Sequence, residues 1–266
     1  MVKAKKALGQ NFLENKNILK RIVGLLDYDL PVVEIGAGPG YLTKLLAEKY
    51  QVTAIEKDER FESRLNLINN VRVVMGDVLN LDLVKILPDP YQLIGNLPYN
   101  VSKKIIQLFF KQADLPEKAV FLIQREVADE LCQSKKSLFS LSVEFYCFPR
   151  REFLVKAGSF KPKPKVDGRV IVLENFCYPL PFKLKREKIE KNFFRLLRFG
   201  FSSPRKKLIN NLAVGLKVEK LILQNLLEKA TIKKDARAED VSFLNWLKIY
   251  QFIYEKGFGK ASSRQS

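Results

Sequence analysis

From Pro31 onward, short apolar runs alternate with segments in which apolar residues recur every three or four positions. The runs VVEI (32 to 35), VTAIE (52 to 56), VRVVM (71 to 75), YQLIG (91 to 95) and AVFLIQ (119 to 124) have the length and β-branched content of strands in a parallel sheet. Between them, YLTKLLAEKY and SKKIIQLFFKQA space their apolar residues as helices lying on a sheet face do. The pattern predicts an α/β, doubly wound sheet. Further on, LSVEFYCF and GRVIVL, separated by FKPKPKV, read as an antiparallel pair that closes the sheet. Beyond the Pro-rich YPLPF, KREKIEKNFFRLLRFGF, RKKLINNLAVGL, EKLILQNLLEKA and FLNWLKIYQFIYEK are all helical in period. The expected organisation is a first domain over 1–180, a small all-helical domain over 181–258 and a disordered tail over 259–266.

Charge changes this picture by giving the helical part a partner. The chain carries a net charge of +18, and residues 183–266 hold 20 Lys and Arg against 8 Asp and Glu. Lysine and arginine neutralise phosphates and release their counterions, so a polyanion such as nucleic acid is the expected ligand; an anionic membrane surface and a merely solvated helical face are the alternatives. No apolar run approaches a bilayer span and MVKAKKALGQNFL has no signal-peptide core, which predicts a cytoplasmic protein without membrane association. Cys132, Cys147 and Cys177 lie far apart without C-x-x-C spacing and predict ordinary thiols, with no disulfide framework and no metal cluster. The chain has no histidine, which removes the commonest general base, the Ser-His and Cys-His nucleophile pairs and the commonest metal ligand.

Candidate chemistry gathers where the apolar runs end. VVEI passes directly into Gly36-Ala37-Gly38-Pro39-Gly40 and then a helical segment, an arrangement that lets a small ligand approach backbone N–H groups. Glu56 ends the second run, 20 residues after Gly36, where a carboxylate can accept from both hydroxyls of a ribose. A dinucleotide site would call for a third glycine at position 41, which is tyrosine, so the nicotinamide cofactor reading weakens. Asp77 follows the third run and can accept from an adenine amino group, or simply cap a turn. The fourth run ends in Asn96-Leu97-Pro98-Tyr99. An amide oxygen and a backbone carbonyl without a competing turn can both accept from an exocyclic NH2 while the tyrosine ring stacks on a base. An adenine or cytosine amino group, or a glutamine side chain, fits.

Taken together, GQNFL (9 to 13), VEIGAGPGYLT (33 to 43), AIEKD (54 to 58), GDVLNLD (76 to 82) and NLPYNVS (96 to 102) closely resemble the ribosomal RNA adenine N6-dimethyltransferases. The similarity continues through FLIQREV, GSFKPKPKVDGRVIVL, FFRLLRFGFSSPRKKLINNL and DARAEDVSFLNWL, and the last two segments are similar to the small-subunit enzymes of the family. The chain departs from the family pattern at SLFSLSV (137 to 143) and at Gly168-Arg169, with a loop near the target base as the expected consequence. The resemblance implies a Rossmann-like methyltransferase sheet, S-adenosyl-L-methionine as methyl donor without a metal, and dimethylation of two adjacent adenosines near the 3′ end of 16S rRNA; a monomer is the expected state. Asn11, Leu13, Gly36, Gly38, Glu56, Asp77 and Asn96 are implied to contact the donor, with Glu56 on the ribose and Asp77 on the adenine. Asn96, Leu97, Pro98 and Tyr99 are implied to form the reaction site and Phe160 to clamp the flipped base opposite Tyr99; by their charge, Arg195, Arg198, Arg205, Lys206 and Lys207 of the basic helices are expected to hold RNA phosphates. Two alternatives stand beside this reading: methylation of 23S rRNA, as in the erythromycin-resistance enzymes, and a non-enzymatic ribosome-assembly or nucleic-acid-binding factor.

Overall fold

The apolar runs form one continuous sheet. A computed structural model describes residues 3–27, 29–110, 115–174 and 186–255; YPLPF and the tail GKASSRQS fall outside the described residues. The chain divides into two compact units, one of residues 1–132 with 146–178 and one of 133–145 with 179–266. The expected boundary at 180 kept 133–145 with the sheet, whereas the structure groups that segment with the C-terminal helices.

The first unit holds β1 (Phe12–Leu13), β2 (Val32–Ile35), β3 (Val52–Glu56), β4 (Val71–Met75), β5 (Gln92–Asn96), β6 (Lys118–Gln124), β7 (Phe148–Val155), β8 (Phe160–Lys161) and β9 (Gly168–Glu174), with helices α1 (Lys16–Val23), α2 (Tyr41–Ala47), α3 (Glu62–Leu65), α4 (Ser102–Phe109) and α5 (Arg125–Cys132). Seven strands lie in the order β4-β3-β2-β5-β6-β9-β7. The first five are parallel, and β9 runs antiparallel to both β6 and β7. The all-apolar runs are explained by burial: Val32, Val33, Ala54, Ile94 and Val120 are fully enclosed, each branched side chain contributing about 1.5–3 kcal/mol relative to exposure. Because β3 and β4 extend to one side of β2 and β5 to the other, the strand order reverses between β2 and β5, the place where open α/β sheets bind ligands.

Of the strand expected over LSVEFYCF, the first half falls in a helix of the second unit, α6 (Leu138–Glu144), and only Phe148 enters a strand. Ser137 decides this. Its hydroxyl accepts from the Ser140 amide at 3.0 Å while the Ser140 hydroxyl accepts from the Ser137 amide at 2.8 Å, a reciprocal cap that satisfies two helix-end donors and outweighs the short alternating pattern. The antiparallel partner of β9 begins only at Phe148.

The second unit adds α7 (Arg186–Gly200), α8 (Leu208–Leu216), α9 (Lys220–Lys229) and α10 (Phe243–Glu255). Its core is aromatic: Phe145 and Phe193 stack with centroids 5.3 Å apart, and Trp246 is fully buried. A side chain at Gly200 would stand 2.2 Å from the Trp246 ring, so α7 has to end in a residue without Cβ for the indole to seat. Among the described residues, no helix is long and apolar enough to cross a membrane.

Candidate active site

The carboxyl ends of β2, β3, β4 and β5 deliver Gly36, Glu56, Asp77 and Asn96 into one cleft, whose remaining wall is the N-terminal segment Ala7–Phe12. Each functional residue is the last of its strand or lies within two residues of the strand's end, so the parallel register aligns them along one edge. Two glycines make the approach possible. Gly38 has φ +53°, and a Cβ there would meet the Phe12 ring at 3.4 Å. A Cβ on Gly95 would stand 2.6 Å from the Ile35 carbonyl oxygen, so only glycine lets the end of β5 draw level with β2.

One end of the cleft is lined with fixed acceptors. Glu56 is buried, with Oε2 accepting from the Gly38 amide at 2.7 Å and Oε1 from the Asp58 amide at 2.8 Å. Burial raises its pKa above the usual carboxylate range while those backbone donors oppose the rise. Each carboxylate oxygen keeps a second lone pair, which is what a pair of vicinal hydroxyls needs. Asp77 accepts from Lys57 Nζ at 2.8 Å and from the Leu79 amide at 3.1 Å; the lysine holds its carboxyl below the ordinary value, so it is an ionised acceptor. Glu34, enclosed in β2, is pushed up to about 8 by burial, against the Thr43 hydroxyl and with the help of the Glu56 charge. It is therefore neutral near pH 7 and adds no second negative charge beside Glu56.

The other end is the Asn96–Tyr99 turn. Asn96 Nδ2 donates to the Asn11 carbonyl at 2.9 Å, which fixes the amide rotation and directs Oδ1 the other way, as an acceptor. The Pro98 carbonyl, expected to lack a competing turn, accepts from the Val101 amide at 3.1 Å, because the chain turns at once into α4. Its second lone pair remains as acceptor. Tyr99 is partly buried and, among the described residues, its hydroxyl has no hydrogen-bond partner. Burial, with Asp167 nearby, pushes its pKa up to about 12. This phenol stays neutral at physiological pH and offers a ring rather than a base.

Of the residues singled out in the sequence, Asn11, Gly36, Gly38, Glu56, Asp77, Asn96, Leu97, Pro98 and Tyr99 line this one cleft. Leu13 and Phe160 lie beside it, at 4% and 2% exposure, opposite each other in the β1–β8 pair; Leu13 lines a smaller adjoining cavity together with Gly36, Gly38 and Asn96. The tip of the Phe160 ring nevertheless comes near Tyr99 at Gly168, where an added Cβ would stand 3.2 Å from the Tyr99 hydroxyl and 3.3 Å from Phe160. One departure from the family pattern thus falls between the two rings. Its neighbour Arg169 pairs with Asp129 at 3.2 Å. The other departure, SLFSLSV, forms the capped α6. In the second unit Arg198, Arg205, Lys206 and Lys207 are exposed and Arg195 is partly so. The turn bearing the last three of the exposed residues is held by Asn211, whose Nδ2 donates to the carbonyls of Gly200 at 2.6 Å and Ser203 at 3.0 Å. Sequence reasoning missed Gln10, Lys57 and Asp58, although all three stand inside quoted motifs; nothing in a linear string says that residue 10 meets residue 58. Among the described residues no group of three or more potential metal ligands comes together.

Comparison with known proteins agrees with this geometry. The family model for ribosomal RNA adenine dimethylase matches residues 1–255. A ribosomal RNA small subunit methyltransferase A from Dehalococcoides mccartyi is 34% identical over 260 residues, covering 93% of this chain and 88% of the relative. The crystal structure of the 23S rRNA methyltransferase ErmE superposes with TM-score 0.74 at 26% identity, covering 91% and 98% of the two chains. A dimethyladenosine transferase from Plasmodium falciparum shares the fold with TM-score 0.75 at 24% identity, over 92% and 98%.

Proposed function

The chain belongs to the ribosomal RNA adenine dimethylase family, and from that premise we propose that it transfers methyl groups from S-adenosyl-L-methionine to N6 of two adjacent adenosines near the 3′ end of 16S rRNA, acting as a cytoplasmic monomer on the small subunit or its precursor. The observation that carries this reading is the convergence, in one cleft, of the Gly36–Gly38 turn, Glu56, Asp77 and the Asn96–Tyr99 turn. The small-subunit assignment draws on relatives named for that activity.

The donor, when bound, supplies an electrophilic methyl group. Glu56 accepts from its ribose hydroxyls, Asp77 from its adenine amino group, and the Gly36–Gly38 turn gives its tail room against the backbone. The fit rests on acceptors already held in place by Gly38, Asp58, Lys57 and Leu79. At the other end, Asn96 Oδ1 and the Pro98 carbonyl accept from the target amino group and draw its lone pair out of conjugation with the ring. Tyr99 stacks on the extruded base. Extrusion costs a few kcal/mol and a stacking ring returns about 1–3 kcal/mol. Phe160 supplies the opposing surface from its place behind Gly168. The proton leaves to water, consistent with a chain that has no histidine and a Tyr99 phenol too weakly acidic to take part. Arg195, Arg198, Arg205, Lys206 and Lys207 bind RNA phosphates by charge.

Methyl transfer from labelled donor to under-methylated 30S and, separately, 50S particles, with mapping of the modified adenosines, tests this. Dimethyladenosine at adjacent positions of 16S rRNA is expected. Label in 23S rRNA moves the protein to the second reading, which the likeness to ErmE favours; donor binding without transfer to either particle leaves only the assembly-factor reading.

A further inference from the structure

The Asp58 side chain has no part in the reaction just described, yet among the described residues it is one of the most heavily hydrogen-bonded. It lies two residues beyond Glu56, at 2% exposure. Its carboxylate takes Arg60 Nε at 2.9 Å and Nη2 at 2.6 Å from its own turn, and Gln10 Nε2 at 2.9 Å and Lys5 Nζ at 3.2 Å from the N-terminal segment. Two further bonds close the set: Lys5 N donates to Gln10 Oε1 at 2.8 Å, and Arg60 Nη1 donates to the Lys3 carbonyl at 3.0 Å. The N-terminal segment is therefore clipped at residues 5 and 10 onto one buried charge. The residues between, Ala7, Leu8 and Gly9, line the cleft. Past the clip, Phe12 packs edge-on against Phe61 with centroids 5.7 Å apart, and the Asn11 carbonyl receives Asn96 Nδ2.

We propose that Asp58 is a positioning residue: its carboxylate clasps residues 3–10 as a strap across the donor cleft, and through Asn11 that strap also sets the rotation of the Asn96 amide. The physical reason is the cost of the alternative. A buried carboxylate that loses its cationic donors is heavily penalised, so the strap's closed position is favoured by the same charge that orders Lys5 and Gln10. A strap released from Asp58 opens the cleft wall and leaves Asn96 free to rotate. The arrangement also gives the donor a route in and out that leaves the sheet undisturbed.

This inference rests on the methyltransferase reading, and the test separates the two. Asp58→Asn and the double variant Lys5→Ala/Gln10→Ala, which leaves Asp58 paired with Arg60, are compared with the full-length protein. Three quantities are read: calorimetric affinity for S-adenosylhomocysteine, trypsin cleavage within residues 3–10, and the donor KM and kcat for methyl transfer. Asp58→Asn is expected to weaken affinity about tenfold or more, as the loss of charge-assisted bonds implies, to raise donor KM with a smaller fall in kcat, and to expose the strap to trypsin unless donor analogue is present. The double variant is expected to shift each quantity in the same direction by a smaller factor, and it decides the matter alone if Asp58→Asn does not fold. Folded variants with wild-type affinity overturn the proposal, as does a strap that is cleaved faster with no change in affinity. A wild-type protein that binds no donor analogue overturns the methyltransferase reading, and this inference with it.

Discussion

The two ends of the cleft are built on different plans. At the donor end every acceptor is already engaged by the protein: Glu56 by two backbone amides, Asp77 by Lys57 and Leu79, and the strap by Asp58. At the target end Asn96 and the Pro98 carbonyl are engaged as well, but among the described residues the Tyr99 hydroxyl has no partner, Phe160 is buried behind Gly168, and the adjoining loop exposes Lys161, Lys163 and Lys165. Under the proposed function, the difference follows from what each end receives. A small flexible donor loses its own freedom on binding, so a preformed site limits the total cost. A base in a structured RNA arrives with a scaffold of its own, and the protein needs only a ring, two acceptors and charge for the backbone.

The comparison can be broken at either end. The largest effect is expected where the two ends meet. Asn96→Ala removes a preorganised acceptor at the reacting nitrogen and lowers kcat by about a hundredfold to a thousandfold, read in single-turnover methyl transfer. Next, Glu56→Gln is expected to weaken donor affinity by roughly a hundredfold, since two charge-assisted bonds become neutral ones, with RNA affinity unchanged; calorimetry and filter binding separate the two. Tyr99 sharpens the contrast. Tyr99→Ala is expected to slow methylation by about tenfold, the worth of one stacking ring, at constant donor affinity, whereas Tyr99→Phe is expected to keep the wild-type rate because the hydroxyl has no partner among the described residues. A Tyr99→Phe variant as slow as Tyr99→Ala refutes the ring-only role. Smallest at moderate salt is neutralisation of Arg205, Lys206 and Lys207 to glutamine, which is expected to flatten the slope of log affinity against log salt by about 0.7 to 0.9 for each phosphate no longer neutralised, with donor binding intact. An unchanged slope assigns these residues to solvation.

The donor end was legible in the sequence because it is assembled from local patterns. A strand that runs into glycines, and a carboxylate or an amide at a strand end, announce themselves within a few residues. The strap was not legible, since Gln10 and Asp58 are joined only by the fold. Nor was the engagement of the Pro98 carbonyl, which depends on α4 starting immediately after the turn. LSVEFYCF misled because alternation over so few residues suits a strand or a capped helix equally, and the reciprocal Ser137–Ser140 bonds selected the helix.

The sequence by itself determined the parallel strands, since continuous apolar runs can be satisfied only by burial on both faces. It also supplied the candidate groups of the site, because glycine, carboxylate and amide have few substitutes at strand ends. Only the tertiary structure decided which of those groups share a cleft, that Leu13 and Phe160 pair across β1 and β8 beside it, and that one buried aspartate holds the wall. Those outcomes depend on register, strand order and the desolvation of a charge, quantities that exist only once distant segments are brought together.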